Sequence, residues 1–274
     1  MTPILDKESI ARFRRKIWRF YKEHRRDLPF RRTVDPYCIT VSEIMLQQTQ
    51  VDRVVPKYEA WIKRWPDWQS LANASVQQLH QMWSGLGYNR RAVFLGRMAR
   101  AVVEDHDGRL PDSPELLRKL PGIGPYTSHA ILIFAFNAPL VTIDTNIRRV
   151  ILHEFDLPAT LSDGDLHEIA RQLLPRGKSR DWHYALMDYS ALVLPKQLKC
   201  IPPKTRQTRF EGSLRQIRGE IIRRLTSRRS VTVSEVAEAL NRAEQDVFQA
   251  AEAMAREGLV TVHRGRIELC DDDS

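Results

Sequence analysis

The residues that could do chemistry are concentrated between positions 120 and 146. A Gly- and Pro-rich run, LPGIGPYTSH at 120–129, precedes an apolar helical stretch, and Asp144 and Asn146 stand directly before another. Glycines at a helix N-terminus can expose consecutive backbone N–H groups to a phosphate, although an ordinary turn between helices has the same composition. A carboxylate such as Asp144 can stabilise a cationic transition state, although Asp before a helix is most often an N-cap. On these residues alone, both alternatives stay open.

Successive amphipathic helices are predicted to position these residues. Over the first two hundred positions apolar side chains recur at helical spacing, as at Ile10, Phe13 and Ile17, without the sustained alternation of strands. Residues 42–65 form a second amphipathic stretch, and Pro56 predicts an interruption within it. We therefore predict a mainly α fold.

The composition changes after residue 194, which predicts further domains. Residues 195–209 are rich in Pro, Lys and Arg and lack helical periodicity, so they are predicted to be a basic linker. Residues 210–270 show three helical patterns followed by a hairpin with a His-Arg-Gly-Arg turn, which resembles a winged helix-turn-helix. Residues 271–274 form an acidic tail.

Length and charge limit the class of protein. The chain has 274 residues, enough for two moderate domains, and carries 43 Lys and Arg against 34 Asp and Glu. A net charge of +9 is typical of a protein that binds a polyanion, either nucleic acid or anionic lipid. No apolar run reaches the roughly 20 residues of a membrane span, and the first residues lack a signal-peptide core, so we expect an intracellular protein. Cys38, Cys200 and Cys270 are expected to be reduced.

Four motifs, in this order and spacing, resemble a known family. They are VSEIMLQQTQ at 41–50, WSGLGY at 83–88, LPGIGPYTSHAILIFAF at 120–136 and VTIDTNIRRV at 141–150. Together they resemble the helix-hairpin-helix DNA glycosylase superfamily, and specifically its MutY branch, the adenine glycosylases of mismatch repair. The similarity covers about residues 13–194, and we assign 1–194 to the glycosylase domain. The resemblance implies two helical subdomains with the active site in the cleft between them.

The resemblance also assigns catalytic roles. Glu43 matches the acid that protonates the departing purine, and Asp144, with Asn146 beside it, matches the aspartate that stabilises the oxocarbenium-like sugar. Tyr126 stands where bifunctional relatives carry a lysine, so it implies a monofunctional enzyme without lyase activity. Alternatively, Glu43 is an ordinary solvated side chain and Tyr126 packs under the hairpin.

Further residues are assigned to DNA and to the base. Gln48 and Tyr88 match side chains that replace an extruded base in the stack. The base pocket is assigned to Phe30, Arg31 and Leu46. The remaining predicted DNA contacts are Gly122, Gly124 and Thr127 in the hairpin and Arg215, Arg218, Arg223, Arg224, Arg264 and Arg266 in the C-terminal segment.

Three departures from the family pattern affect these expectations. Family members usually carry four closely spaced cysteines for an iron–sulfur cluster, whereas this chain has only Cys200 in that region, so we predict no cluster, metal or other cofactor. Phe30 replaces a typical tryptophan, which removes an indole N–H from the base pocket. A predicted winged helix stands where MutY enzymes have the domain that senses 8-oxoguanine.

The predicted activity is therefore release of a mispaired adenine, opposite guanine or 8-oxoguanine, in base excision repair. The expected partner is duplex DNA with a mismatched or damaged base, with no membrane involved. A monomer in the cytoplasm of a prokaryote, associated with the nucleoid, is expected. Two alternatives stay open: a thymine/uracil glycosylase acting on G:T or G:U mismatches, and a DNA-binding regulator without catalytic activity.

Overall fold

A computed structural model describes residues 4–194 and 211–270 of the protein. The predicted linker at 195–209, the acidic tail at 271–274 and Cys200 lie outside these ranges. Helices make up most of the described chain, which confirms the predicted mainly α class, and three short strands lie towards its C-terminal end. No helix within the described ranges is both long and apolar enough to cross a membrane.

The helices of the first described range begin with α1 and end with α11. Their bounds are α1 (Lys7–His24), α2 (Pro36–Leu46), α3 (Val51–Arg64), α4 (Trp68–Ala72), α5 (Val76–Trp83), α6 (Arg90–Asp105), α7 (Pro114–Leu117), α8 (Pro125–Phe136), α9 (Thr145–Glu154), α10 (Asp163–Leu173) and α11 (Ser179–Leu192). A short 3₁₀ turn, Pro29–Arg31, precedes α2.

Packing divides the described residues into two compact units. The first contains the chain up to Glu43, Pro111–Lys119, and the chain from Ile123 to residue 194. The second contains Ile44–Leu110, Leu120–Gly122 and the described residues from 211 onwards. Each unit therefore combines segments that are distant in sequence.

The first unit is built around helices that bury apolar faces. Asp6 caps α1 by accepting a hydrogen bond from the backbone N–H of Ser9 at 2.8 Å, and Phe13 of this helix packs edge-on against Trp182 of α11. Helix α8 is apolar on every side and is buried from Ala130 to Ala135. A helix of this kind is stable only inside a core. Tyr126, in the first turn of α8, and the segment after α8 that leads to Asp144 are thereby attached to a rigid element.

The interruption predicted at Pro56 is wrong in position. The chain breaks at residues 47–50, where Gln48 adopts a left-handed conformation with φ of 54°, and α3 then continues through Pro56. Proline removes one backbone donor, and the packing of Val54, Tyr58 and Trp61 in the core holds the helix despite this loss. The break therefore contains Gln48, a predicted DNA-contacting residue.

In the second unit, α5 and α6 flank a tight turn. Ser75 caps α5 in a reciprocal capping box with Gln78. The turn after α5 uses positive φ at Gly85 and Gly87, and Tyr88, which follows, also has positive φ, at 48°. This turn presents the WSGLGY motif between two well-anchored helices.

The C-terminal part of the second unit has winged-helix topology. It runs α12 (Leu214–Leu225), β1 (Ser230–Thr232), α13 (Val233–Leu240), α14 (Glu244–Arg256), β2 (Val260–His263) and β3 (Arg266–Leu269). The sheet is antiparallel, in the order β1-β3-β2, so β1 adds a strand to the predicted hairpin. Arg264 and Gly265 form the hairpin tip, both with positive φ.

This C-terminal segment shares a core with α5 and α6. Val76 and Val93 belong to the same apolar cluster as Ile217 and Ile221 of α12. In addition, the side-chain amides of Gln77 and Gln81 donate to the carbonyl oxygen at the end of α12, on Thr226, at 3.2 and 2.8 Å. The winged helix is thus packed on the helices that flank the Tyr88 turn.

Candidate active site

Asp144 is held rigidly at the start of α9. One carboxylate oxygen accepts a hydrogen bond from the backbone N–H of Ile147 at 2.7 Å, and the other accepts from the Asn146 side-chain amide at 2.8 Å. The Asn146 amide oxygen in turn accepts from the Ser190 hydroxyl at 3.4 Å. Asp144 is therefore a helix cap, and the same bonds fix its orientation and favour its ionised form near the positive end of the helix dipole.

Glu43 lies in the first unit, near the end of α2, among apolar neighbours. Val41, Ile44 and Met45 are buried, and the Glu43 side chain is half-buried. Burial raises the pKa of Glu43 from 4.5 to about 8, and the negative charge of Asp144 adds to this effect, whereas the positive charge of Arg31 opposes it. At neutral pH Glu43 is therefore mostly protonated and can donate a proton.

The two carboxyl groups thus differ in their environments. Burial also raises the pKa of Asp144, but the hydrogen bonds from Ile147 and Asn146 act in the opposite direction. Two interacting carboxyl groups with unequal hydrogen bonding divide into an acid and an anion. Cleavage that is assisted by an acid and passes through a cationic transition state requires two groups. One must donate a proton, and the other must provide a fixed negative charge.

Tyr126 is the third member of this cluster. It is the second residue of α8 and is 37% exposed. Burial and the charges of Glu43 and Asp144 raise the pKa of its phenol well above 10, so it stays neutral. A neutral phenol cannot form a Schiff base as an amine can.

An open cavity of about 550 Å³ borders Tyr126 and Asp144 within the first unit. Its walls also carry His129, Arg148 and His167. Arg148 is engaged by the carboxylate of Asp163 at 3.2 Å and by the carbonyl oxygen of Ala159 at 2.7 Å. The cavity gives solvent and a polar ligand access to the two catalytic candidates.

A buried ionic network, which sequence analysis missed, holds Arg31. The fully buried carboxylate of Asp188 accepts hydrogen bonds from the Arg31 guanidinium at 2.7 Å and from Arg26, through its guanidinium at 2.6 Å and its backbone N–H at 3.0 Å. Arg31 also stacks on the ring of Tyr184, with 4.3 Å between the guanidinium carbon and the ring centroid. The available signal was Asp188 itself, since it is a lone charge in the apolar run ALMDYSALV.

The other predicted base-pocket residues lie in different units. Phe30 is buried in the first unit, directly before Arg31. Leu46 is half-buried at the end of α2 and belongs to the second unit. The pocket assigned to these three residues stays a prediction.

The Gly/Pro hairpin leads into α8. Gly122 has φ of 80°, and a Cβ there would lie 3.0 Å from Phe94, so a side chain is disfavoured by both conformation and space. Gly124 is the N-cap residue of α8, and a Cβ there would meet nothing within 4 Å. Thr127 is buried. The open surface at Gly124 is compatible with the close approach of a phosphate to the backbone.

Gln48 and Tyr88 lie in the second unit, each in a loop between helices. Both have left-handed backbones, and both are exposed, Tyr88 by 44%. Exposed side chains on constrained loops are suited to insertion into a partner.

The predicted phosphate contacts of the winged helix differ in their surroundings. Arg264 and Arg266 are exposed at the hairpin, and Arg215 lies on α12. Arg218 forms a two-point ion pair with Glu257, at 2.7 and 2.5 Å, whereas Arg223 and Arg224 both pair with Glu220. The hairpin arginines are thus the more accessible candidates.

The cysteines do not fit the four-cysteine iron–sulfur cluster of the resembling family. The chain has three cysteines in all, and four thiolates are needed. Neither Cys38 nor Cys270 forms a disulfide, and within residues 4–194 and 211–270 no group of three or more His, Cys, Asp or Glu side chains could hold a metal ion.

The sequence matches a family of DNA repair proteins and several of its members. Residues 41–176 match the model of the HhH-GPD superfamily base excision DNA repair proteins. The chain is 37% identical to a human adenine DNA glycosylase over 205 residues, which cover 70% of this chain and 38% of that protein. It is 36% identical to an adenine DNA glycosylase of Mycolicibacterium smegmatis over 226 residues, which cover 74% and 76%. The chain spans about two-fifths of the length of the mammalian relatives that it matches.

A relative with another substrate in its name is also similar. A thymine/uracil-DNA glycosylase of Methanothermobacter thermautotrophicus is 33% identical over 186 residues, covering 66% of this chain and 84% of that protein. The solved structure of a thermostable thymine-DNA glycosylase superposes with a TM-score of 0.63 at 30% identity, covering 70% and 93%. An endonuclease III–DNA complex, at 16% identity and a TM-score of 0.60, shares the fold. The chain therefore belongs to the HhH-GPD superfamily of base excision DNA repair proteins.

Proposed function

We propose that this protein is a monofunctional DNA glycosylase that hydrolyses the N-glycosidic bond of an adenine mispaired with guanine or 8-oxoguanine. The observation that carries the proposal is the pair of unequal carboxyl groups, with Glu43 protonated at neutral pH beside the hydrogen-bonded Asp144. An acid for the leaving base and an anion for the sugar are the two requirements of this reaction.

The reaction follows from these two groups. Glu43 donates its proton to N7 of adenine, so the bond between the base and C1′ of the sugar breaks with its electron pair on the base. The negative charge of Asp144 stabilises the positive charge that develops on the sugar. Water adds to C1′, its proton replaces the one that Glu43 donated, and the products are free adenine and an abasic site.

The absence of lyase activity is part of the proposal. Tyr126 provides a neutral phenol at the position assigned to an amine in bifunctional relatives, so no covalent bond to the sugar is expected. The enzyme would work without a four-cysteine iron–sulfur cluster, because the chain has three cysteines and such a cluster needs four thiolates.

Duplex DNA with a mispaired base is the proposed partner. The net charge of +9 favours a polyanion, and a mispaired base costs less to extrude than a paired one. Gln48 and Tyr88 would fill the space left in the stack, and Arg264 and Arg266 would contact phosphates. A monomeric protein associated with the nucleoid in the cytoplasm of a prokaryote fits this role.

Release of thymine or uracil from G:T or G:U mismatches is the second candidate. The similarity to the Methanothermobacter thermautotrophicus protein, most of whose length is covered, favours it. The regulator alternative finds less support, because Arg256 is the one cation among the exposed residues of α14, the third helix of the winged helix. The others are Glu244, Gln245, Phe248, Gln249 and Glu252, which are poor ligands for phosphate.

The deciding experiment compares single-turnover release from A:8-oxoG, A:G, T:G and U:G duplexes, with alkaline cleavage of the abasic product. Wild-type protein is expected to process the two adenine substrates fastest, and Glu43→Gln is expected to lose that activity. Fastest release from T:G or U:G, retained in Glu43→Gln, would replace the adenine assignment by the thymine/uracil one.

A further inference from the structure

Arg91 is a buried arginine that the proposed chemistry does not use. It is the second residue of α6 and is 8% exposed, an unusual position for a side chain that carries a full charge. Burial lowers its pKa to about 10, so it is still charged at neutral pH. A buried charge must be compensated by hydrogen bonds, and the partners of Arg91 lie in two separate segments, the end of α2 with the loop that follows it and the loop before α6.

The first set of partners is the C-terminal end of α2. One guanidinium nitrogen donates to the carbonyl oxygens of Ile44, Met45 and Gln47 at 2.8, 3.1 and 2.7 Å. Carbonyls at the end of a helix have no partner within the helix, and a cation there is favoured by the helix dipole. Arg91 therefore acts as a C-terminal cap of α2, supplied from a helix more than forty residues away in sequence.

The second set of partners lies in two loops, the one that follows α2 and the one that precedes α6. The other terminal nitrogen donates to the Thr49 hydroxyl at 3.1 Å and to the carbonyl oxygens of Leu86 and Gly87 at 3.4 and 3.1 Å. The guanidinium also lies over the rings of Trp83 and Tyr88, at 5.2 and 5.4 Å from their centroids. One side chain therefore connects the loop after α2 to the loop before α6.

These contacts bracket the two side chains assigned to the base stack. Gln48 lies between Gln47 and Thr49, both of which are bonded to Arg91, and Tyr88 follows Gly87. Gln48 and Tyr88 have φ of 54° and 48°, a left-handed conformation that is unfavourable for residues with side chains. Such a conformation persists only where the surrounding contacts determine it.

We propose that Arg91 is a positioning residue that joins the Gln48 loop and the Tyr88 loop into one rigid platform, so that both side chains enter the base stack together. This inference rests on the proposed function, because it concerns extrusion of the mispaired base and not the cleavage of its bond. The chemistry of Arg91 suits the task, since its planar fork donates to several carbonyls at once, whereas a lysine ammonium is a single point charge with three donors.

The test compares Arg91→Lys with Arg100→Lys, a control on the same helix whose guanidinium bonds the carbonyl oxygen of Ala72 at 3.3 Å. Unstacking is followed by the fluorescence of 2-aminopurine placed next to an A:G mispair. We expect Arg91→Lys to slow unstacking by about tenfold or more, as expected when a charged group is deprived of several hydrogen bonds. Arg100→Lys is expected to leave the unstacking rate within about twofold of wild type.

A second substrate separates positioning from a general structural defect. In a duplex with an unpaired, bulged adenine the extrusion cost is reduced, so Arg91→Lys is expected to release that adenine at nearly the wild-type rate. Thr49→Val removes one acceptor of Arg91, together with the hydrogen bond that the Thr49 hydroxyl donates to the carbonyl oxygen of Gln47 at 3.2 Å, and leaves Arg91 in place. It provides a milder variant if Arg91→Lys does not fold. It is expected to slow unstacking of the mispair less than Arg91→Lys does.

The outcomes distinguish this inference from the proposed function. Equal losses on the mispaired and the bulged substrate, or wild-type unstacking rates in both Arg91→Lys and Thr49→Val, would overturn the positioning role. If the wild-type protein does not unstack the mispair at all, the role fails as well. If it unstacks the mispair without releasing adenine, and Arg91→Lys slows that step, the positioning role stands and the adenine assignment fails.

Discussion

The raised pKa of Glu43 makes a quantitative prediction about the pH dependence of base release. With a pKa of about 8, roughly nine-tenths of Glu43 is protonated at pH 7, whereas an ordinary glutamate with a pKa of 4.5 would be protonated to about 0.3%. The environment thus increases the acid form about 300-fold at neutral pH. We expect single-turnover rates to be flat between about pH 6 and 7.5 and to fall about tenfold per pH unit well above pH 8.

Two substitutions test the origin of this profile. Glu43→Gln should lower the rate by about 10² to 10⁴, the usual contribution of a positioned acid, and should abolish the descending limb. Arg31→Met removes a positive charge that lowers the pKa of Glu43, so the descending limb should move to higher pH, whatever happens to the absolute rate. The assay is release of adenine from an A:G duplex across pH 5.5 to 9.5, with alkaline cleavage of the product.

Protein stability gives an independent measure of the same pKa. The pKa of Glu43 is higher in the folded than in the unfolded chain, so the protonated side chain favours the folded state. This contribution to the free energy of unfolding is fully present below about pH 4.5 and is lost as the pH rises through 8. Glu43→Gln should therefore gain stability over wild type between pH 5 and pH 9, by a few kcal/mol in urea unfolding. A wild-type profile without a limb near pH 8, together with a stability difference that does not change with pH, would refute the assignment of Glu43 as a buried acid.

The remaining predictions concern the other groups of the site and the hairpin. Asp144→Asn should nearly abolish base release while duplex binding, measured by fluorescence anisotropy, stays within about threefold, because the anion acts mainly in the transition state. Borohydride should trap no covalent DNA adduct with wild-type protein, and trapping through any lysine would contradict the monofunctional assignment. Replacing Arg264 and Arg266 by Ala should reduce the slope of log binding constant against log salt by about 0.9 for each phosphate that these side chains neutralise, and an unchanged slope would remove them from the DNA interface. Anaerobically purified protein should contain no iron by elemental analysis, and stoichiometric iron would contradict the cofactor prediction.

Local sequence was sufficient for most helices because their caps and apolar periods lie within a few residues. Ser75 with Gln78 and Thr232 with Glu235 form capping boxes, each between residues three positions apart in the sequence. Strand β1 was missed because three residues are too few to show alternation, and its pairing with β3 joins positions more than thirty residues apart. The same limit applies to the break after α2, which is held by Arg91 from a distant helix and not by Pro56.

In the candidate site, too, some properties depend on neighbours in the sequence and could be predicted, whereas others depend on distant residues and could not. Asp144 could be identified from its motif because its role as a cap and its role as an anion use the same neighbours, Asn146 and Ile147. The pKa of Glu43 could not be predicted, because it depends on burial and on the charges of Asp144 and Arg31, which come from other parts of the chain. Arg31 in turn is held by Asp188, more than 150 residues later.

Buried charged residues therefore indicate long-range contacts that an analysis of hydrophobic periodicity does not detect. Asp188 interrupts an apolar stretch of α11, and Arg91 lies on the core side of α6, and each is fully or almost fully buried. A periodicity argument treats such residues as exceptions, yet a buried charge is tolerated only where several hydrogen bonds compensate it. Both residues bond to segments that carry candidate site residues, Arg31 in one case and the loops of Gln48 and Tyr88 in the other. An unexplained charge on the buried face of a helix is thus a reason to look for a distant segment that must be held in place, even before any coordinates are known.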